Sequence, residues 1–300
     1  MTLGGLAVMA FFGMSGYLVT QSWERRKNPV SFVLARILRL WPALFVVVAV
    51  TVLLIGPALS SSQDYWTHPD TTAYWQNLLL HQPPGGQRGL PGVFEHSPLP
   101  GVVNGPLWTL EYEAAAYSGL FLLGISRLLT RESVTAIACA LALILWRIPH
   151  TDTQPWLYLA LPFVTGSSLA LWGEHIIWRR DGALLAMLIM AAGLITGHLS
   201  ILAGSTGVYA LLYVARGSAL RGWGRSGDPS YGIYLWGMLV QQIMVARGYG
   251  LTPVSNVVLS VPLTLGLALL SWHAVEKRAL ALAKAGTINW STRLKATWQR

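Results

Sequence analysis

The sequence predicts an all-α fold, a polytopic membrane helical bundle with about nine transmembrane helices. Three observations predict it. Of the 300 residues, 53% are apolar and only 11% charged, and the mean hydropathy of +0.49 lies outside the soluble range. The chain divides into apolar runs of the roughly 20 residues needed to cross a hydrocarbon core. When those runs alternate in direction, 18 of the 21 Lys and Arg residues fall on one side, as the positive-inside rule requires.

The first run, 3–21, ends at Glu24-Arg25-Arg26-Lys27, with Arg36 and Arg39 following, so the loop it enters is cytoplasmic. The second, 42–60, leads outward to the one long connection, 61–106. The third, 107–125, returns to Arg127 and Arg131, and the fourth, 133–149, goes out past Arg147. The fifth, 155–173, comes back to Arg179 and Arg180. The sixth and seventh, 182–197 and 199–215, form a pair ending at Arg216, Arg221 and Arg225. The eighth, 230–246, reaches Arg247 outside, and the ninth, 254–275, delivers Lys277 to Arg300 inside. Only Arg88, Arg147 and Arg247 fall outside. An odd number of spans with a cytoplasmic C-terminus puts the N-terminus outside, and nothing in residues 1–5 would carry it there. The expectation is therefore one further upstream helix, lost through a wrong start codon or truncation; the alternative is a native N-out protein.

The formal net charge of +9 does not point to nucleic acid, because the basic residues punctuate apolar runs instead of forming a stripe with interleaved aromatics. The single cysteine, Cys139, lies inside an apolar run, which leaves no disulfide framework and no metal motif. Residues 61–106 carry Asp64, Asp70, Glu95, His68, His81 and His96 with Tyr65, Trp66, Tyr74 and Trp75. A loop this long without strong periodicity is usually functional or disordered. Its aromatic and polar groups suit a carbohydrate, and they equally suit an interfacial aromatic belt. The tail after 278 is basic, carries Trp290 and Trp298, and fits the surface of the inner leaflet.

Chemistry is sought among polar groups that are expensive to place near a bilayer. Glu111 and Glu113 open the third span in Leu107-Trp108-Thr109-Leu110-Glu111-Tyr112-Glu113, before three alanines and Tyr117. Residues two apart do not share a helix face, so if Glu113 points into the bundle Glu111 points to the interface. A buried carboxylate can act as a general base or orient a histidine; it can also be a hydrogen-bonded structural group. Arg36 and Arg39 stand at i and i+3, on one helix face, before Trp41-Pro42. There the two guanidiniums can grip phosphates, or can anchor the chain as positive-inside residues.

Several stretches in this order resemble acyltransferase family 3, membrane proteins that O-acylate sugars. Residues 11–20, from Phe11-Phe12 to Thr20, look like the family's FFxxSGxLIT segment. Phe32 to Pro42 resembles its RxxR segment followed by proline. Leu90 to Phe94 and Val103 to Glu113 are similar to its LPGVF and VNGxLWTLxYE run. Asp228 to Trp236 resembles its SYGxYLW segment, and Ser271 to Lys277 its closing SWxxxEK. The matches reach from residue 4 to 278, so 1–278 reads as an acyltransferase-3-like membrane domain, including the external loop 61–106, and 279–300 as a basic cytoplasmic tail. The family has ten spans with an Arg and a His in the first, and this chain starts at what would be the second. No histidine stands in that place: His68, His81 and His96 are external, His150 and His198 lie in outer turns, and His175 and His273 lie near the inner face.

The resemblance implies an integral membrane O-acyltransferase of a bacterial inner membrane. It would move an acyl group, acetyl being commonest, from cytoplasmic acyl-CoA to a hydroxyl of a cell-surface or exopolysaccharide sugar. The acceptor would be a glycan or lipid-linked sugar, with the lipid bilayer as surroundings and without a metal. Arg36 and Arg39 would hold the donor phosphates and Glu113 would pair with the absent His or the substrate. Ser15, Trp108 and Tyr231 would line a path through the bundle. Trp108 reads equally as an interfacial anchor and Ser15-Gly16 as a packing notch, and Glu276, beside Lys277 and Arg278, reads as an ion-pair residue. Where many members have His and Pro after YLW, this chain has Gly237 and Leu239. Two other classes remain open: a non-catalytic or degenerate paralogue acting as a membrane partner, and a glycan or lipid-linked sugar transporter.

Overall fold

A computed structural model describes residues 2–26, 28–80, 89–147, 155–217 and 227–282. Among the residues named above, Lys27, His81, Arg88, His150, Arg221, Arg225 and the tail beyond 282 with Trp290 and Trp298 lie outside the described residues. Those described form helices and no strand. In chain order they are α1 (Leu3–Arg26), α2 (Pro29–Val50), α3 (Gly56–Leu59), α4 (Pro69–Tyr74), α5 (Thr109–Ile125), α6 (Arg131–Arg147), α7 (Pro155–Trp172), α8 (Arg180–Thr196), α9 (Leu199–Gly204), α10 (Thr206–Ala215), α11 (Ser230–Ala246) and α12 (Pro253–Ser271).

Four continuous helical stretches are long and apolar enough to cross a membrane: Leu3–Arg25, Pro29–Leu59, Pro155–His175 and Pro253–Leu282. They coincide with four of the nine expected spans. α5, α6, α8 and α11 have 17 residues each, a length of about 26 Å against a hydrocarbon core of about 30 Å.

The chain forms two compact units, residues 1–32 with 112–223, and 33–111 with 224–300. In the first, α1 and α7 meet backbone to backbone. A Cβ on Gly16 would stand 2.0 Å from the Phe163 carbonyl oxygen, and one on Gly166 would stand 2.0 Å from that of Gly13. Small residues permit this approach where apolar helices gain nothing from hiding from water. Ser167 secures it by donating to the carbonyls of Phe163 at 2.9 Å and Gly16 at 3.3 Å. Trp23 packs edge-on against Phe32 and Phe121, over Gly124.

The expected single span 199–215 is broken. Ser205 has φ −104° and ψ −86°, and it separates α9 from α10. Ser205 donates to the Ile201 carbonyl and Thr206 to that of Leu202, the local side-chain bonding that competes with a helix ladder. Gly204 and Gly207 on either side pack against Pro162 and Met190.

In the second unit α2 departs from expectation at its start. It begins thirteen residues before Pro42, because Asn28 accepts the Ser31 N–H at 3.1 Å and Pro29 occupies the first turn. Arg36 and Arg39 therefore sit within the helix. Beyond Val50 the ladder widens into a π turn, Thr51–Ile55, before α3. The Tyr65 hydroxyl donates to the Val52 carbonyl there at 2.8 Å, and only glycine at 56 leaves room, since a Cβ would lie 1.9 Å from that hydroxyl.

The described parts of the long connection, 61–80 and 89–106, are folded. They contain α4, capped by His68, and a 3-10 turn at Trp75–Leu79. Tyr65, Tyr74, Leu90, Val93, Phe94 and Val103 are buried, whereas Trp66 is exposed and Trp75 half-buried. Two of the four aromatics that suited a sugar are thus packed away. Gln242 holds the end of the loop through the Leu99 and Val102 carbonyls, and Asn104 donates to the Leu235 carbonyl at 2.9 Å. α11 and α12 cross closely at Gly232, where a Cβ would meet the Ala268 Cα at 2.8 Å. A second π turn, Trp272–Glu276, follows α12.

Candidate active site

Two polar clusters stand out, one in each unit. In the second, Arg39 is fixed by groups far away in sequence. Its Nη2 donates to Asp228 Oδ2 at 2.8 Å, with Ser230 Oγ at 3.4 Å, and its Nη1 reaches Glu276 Oε2 at 3.5 Å. The ion pair expected of Glu276 is therefore made with Arg39 across 237 positions. Glu276 is brought inward by the π turn, a deformation that recurs at functional sites. It is buried, and its Oε1 accepts from Ser271 Oγ at 3.0 Å.

Asp228 precedes α11, and its Oδ1 accepts from the hydroxyl and the N–H of Ser230. Partial burial pushes its carboxyl up, but the Arg39 charge and the Ser230 hydrogen bonds outweigh burial and hold it below the ordinary range. Tyr231 closes the cluster: its ring lies 5.6 Å from the Arg39 guanidinium carbon and its hydroxyl donates to the Leu40 carbonyl at 2.9 Å. The second arginine, Arg36, is half-buried one turn earlier on α2.

In the first unit Glu113 is 3% exposed, and the buried positions Glu113, Tyr117 and Leu120 make one face of α5, while Glu111 is only half-buried. Tyr117 donates its hydroxyl proton to Glu113 Oε1. Ser15 Oγ lies 3.2 Å from the Tyr117 oxygen. Since a phenol has one proton to give, Ser15 is the donor there, and protons run in one sense from Ser15 through Tyr117 to Glu113. Ser15 and Glu113 were singled out in the sequence, but Tyr117 was not. Its signal was the i, i+4 spacing from Glu113, which puts the two side chains one above the other. The Phe163 ring stands 6.3 Å from that of Tyr117 and also lines a cavity of about 790 Å³ with Ala116, Leu120, Leu123, Ala160 and Ser167.

Trp108 is half-buried at the end of a 3-10 turn, Gly105–Trp108, in the second unit. Its neighbour Thr109 shares a hydrogen bond with Tyr234, whose hydroxyl also donates to the Pro106 carbonyl. Two further polar atoms escaped sequence reasoning: Asn104 Oδ1 and Trp236 Nε1 are buried with no hydrogen-bond partner among the described residues. His68, His175, His198 and His273 each direct Nδ1 at a backbone group within four residues. Among the described residues no three His, Cys, Asp or Glu side chains are grouped to hold a metal.

The model of an acyltransferase domain matches residues 1–273. The chain belongs to acyltransferase family 3. It is 26% identical over 295 residues to a protein named O-acetyl transferase from Shigella phage Sf6, covering 92% of this chain and 85% of that one. It is 30% identical over 317 residues to one named Nodulation protein 10 from Rhizobium leguminosarum bv. viciae, covering 92% and 82%. No solved structure matches. An acyltransferase needs a grip on its donor and a group that takes the acceptor's proton. Arg39 is a guanidinium held between two carboxylates, and Ser15 and Tyr117 are hydroxyls in series on the buried carboxylate of Glu113.

Proposed function

We propose that this acyltransferase is an integral protein of a bacterial inner membrane, with nine spans and a cytoplasmic C-terminus. It transfers an acyl group, acetyl foremost, from cytoplasmic acyl-CoA to a hydroxyl of a cell-surface or exopolysaccharide sugar, free or lipid-linked. The observation that carries the reading is the buried carboxylate Glu113 with a phenol and a hydroxyl in series behind it, in a chain whose family is acyltransferase.

In this mechanism Arg36 and Arg39 hold the donor phosphates. Glu113 takes the acceptor's hydroxyl proton, the freed oxygen attacks the thioester carbonyl, and the carbon–sulfur bond breaks. The thiolate of coenzyme A leaves and takes up the proton that Glu113 received, which restores the carboxylate. Buried among helices and within reach of a hydroxyl partner, this carboxylate is placed to act as a general base towards an alcohol. Trp108 and Tyr231 serve as walls of the donor and acceptor paths.

The test is labelled acetyl transfer from acetyl-CoA to surface polysaccharide in membranes carrying wild type or Glu113→Gln. The Gln variant retains the shape of the side chain and loses the base, so the rate falls about a hundredfold or more. Transfer at the wild-type rate by Glu113→Gln would remove Glu113 from the reaction.

A further inference from the structure

Arg39, taken above as a phosphate ligand, already faces two carboxylates, and the formal charge of the three groups together is −1. An anionic donor would meet a guanidinium whose better nitrogen is occupied. The two carboxylates differ in how firmly they are held. Glu276 is 1% exposed, with both oxygens engaged, Oε1 by Ser271 and Oε2 by Arg39. Releasing it would strand a buried charge. Asp228 is 54% exposed. Its contact with Arg39 uses Oδ2 alone, while Oδ1 is kept by Ser230, so letting go of the arginine leaves the carboxylate anchored and hydrated. Gly227, at φ 126°, precedes it in a conformation that favours glycine, and the Trp272 indole lies where a Cβ would be.

We propose that Asp228 is a displaceable counter-ion. It covers Arg39 Nη2 and yields that nitrogen to a phosphate oxygen of the donor, while Glu276 stays on Nη1 and keeps the guanidinium aimed. Exposed ion pairs are weak enough to exchange in this way, whereas a charge-assisted hydrogen bond to phosphate is stronger. Asp228 then sets donor affinity without touching the donor, and keeps other anions from resting on Arg39. The inference rests on the donor placement proposed above.

Its test is calorimetric titration of the purified full chain in detergent with coenzyme A and, separately, inorganic pyrophosphate. Asp228→Asn keeps the hydrogen bonds to Ser230 and removes the charge, so both anions bind about two- to fivefold more tightly. Asp228→Ser repeats the measurement with a different side chain, and melting temperatures confirm that both variants fold. Affinities unchanged or weakened in both variants overturn the counter-ion role. Coenzyme A binding that ignores Arg39→Gln, while pyrophosphate still responds to Asp228→Asn, removes the donor placement and leaves the counter-ion standing. If neither anion binds wild type or variants, both are overturned.

Discussion

Replacing Tyr117 by Phe takes away one oxygen and leaves the ring against Phe163. Two hydrogen bonds go with it, the one given to Glu113 and the one accepted from Ser15. A bond to a charged acceptor contributes about 1.5–3 kcal/mol and a neutral one about 1. The stability loss is therefore about 2.5–4 kcal/mol with Glu113 left unsatisfied. A role in proton transfer adds a loss in rate of about a hundredfold or more, which does not scale with stability. Acetyl transfer from acetyl-CoA, measured beside the melting temperature, separates the two effects. A relay defect lowers the rate far beyond what the loss of stability accounts for, whereas a packing defect lowers it only in step with the folded fraction. Ser15→Ala loses only the outer hydrogen bond and should cost about 1 kcal/mol, and as the first member of the series it should slow transfer as well. A Tyr117→Phe protein that transfers acetyl within twofold of wild type would refute the relay.

Gly16→Ala places a methyl group 2.0 Å from the Phe163 carbonyl oxygen, so α1 and α7 must separate. A drop in stability of about 1–3 kcal/mol or more follows, read as a lower melting temperature in detergent; an unshifted melting point would contradict the backbone contact. Burial pushes the Tyr65 phenol up to about 12, so its contribution to stability is whole below the ordinary value near 10 and is lost as pH rises towards 12. Tyr65→Phe should flatten part of the alkaline unfolding curve while giving up the hydrogen bond to Val52, about 1 kcal/mol at neutral pH. Buried Tyr74, also raised by its surroundings, supplies the remaining alkaline slope.

Local features of the candidate site could be read from spacing. Glu113 faces inward and Glu111 does not because 100° per residue puts positions two apart on different faces. The same geometry set Arg36 and Arg39 one turn apart. Other features could not be read, because their causes lie elsewhere in the chain. Asp228 and Glu276 reach Arg39 from 189 and 237 positions away, and no periodicity encodes such a meeting. The π turn that brings Glu276 inward continues α12 with no glycine, proline or capping residue to mark it in the sequence. The long loop looked irregular because its order comes from burying Tyr65 and Tyr74 and from hydrogen bonds to α11, neither of which repeats along the sequence.

The sequence by itself determined that the chain is helical and apolar, which family it resembles, and which few polar residues had to be explained. Those properties follow from composition, from a 3.6-residue period and from short motifs, all of them local. Tertiary structure alone decided that Tyr117 links Ser15 to Glu113, that Arg39 is held by one exposed and one buried carboxylate, and that the run 199–215 breaks at Ser205. Each depends on which distant atoms fill the last few ångströms around a side chain. In a bundle of apolar helices, close packing and hydrogen bonding fix those neighbours, and hydropathy does not.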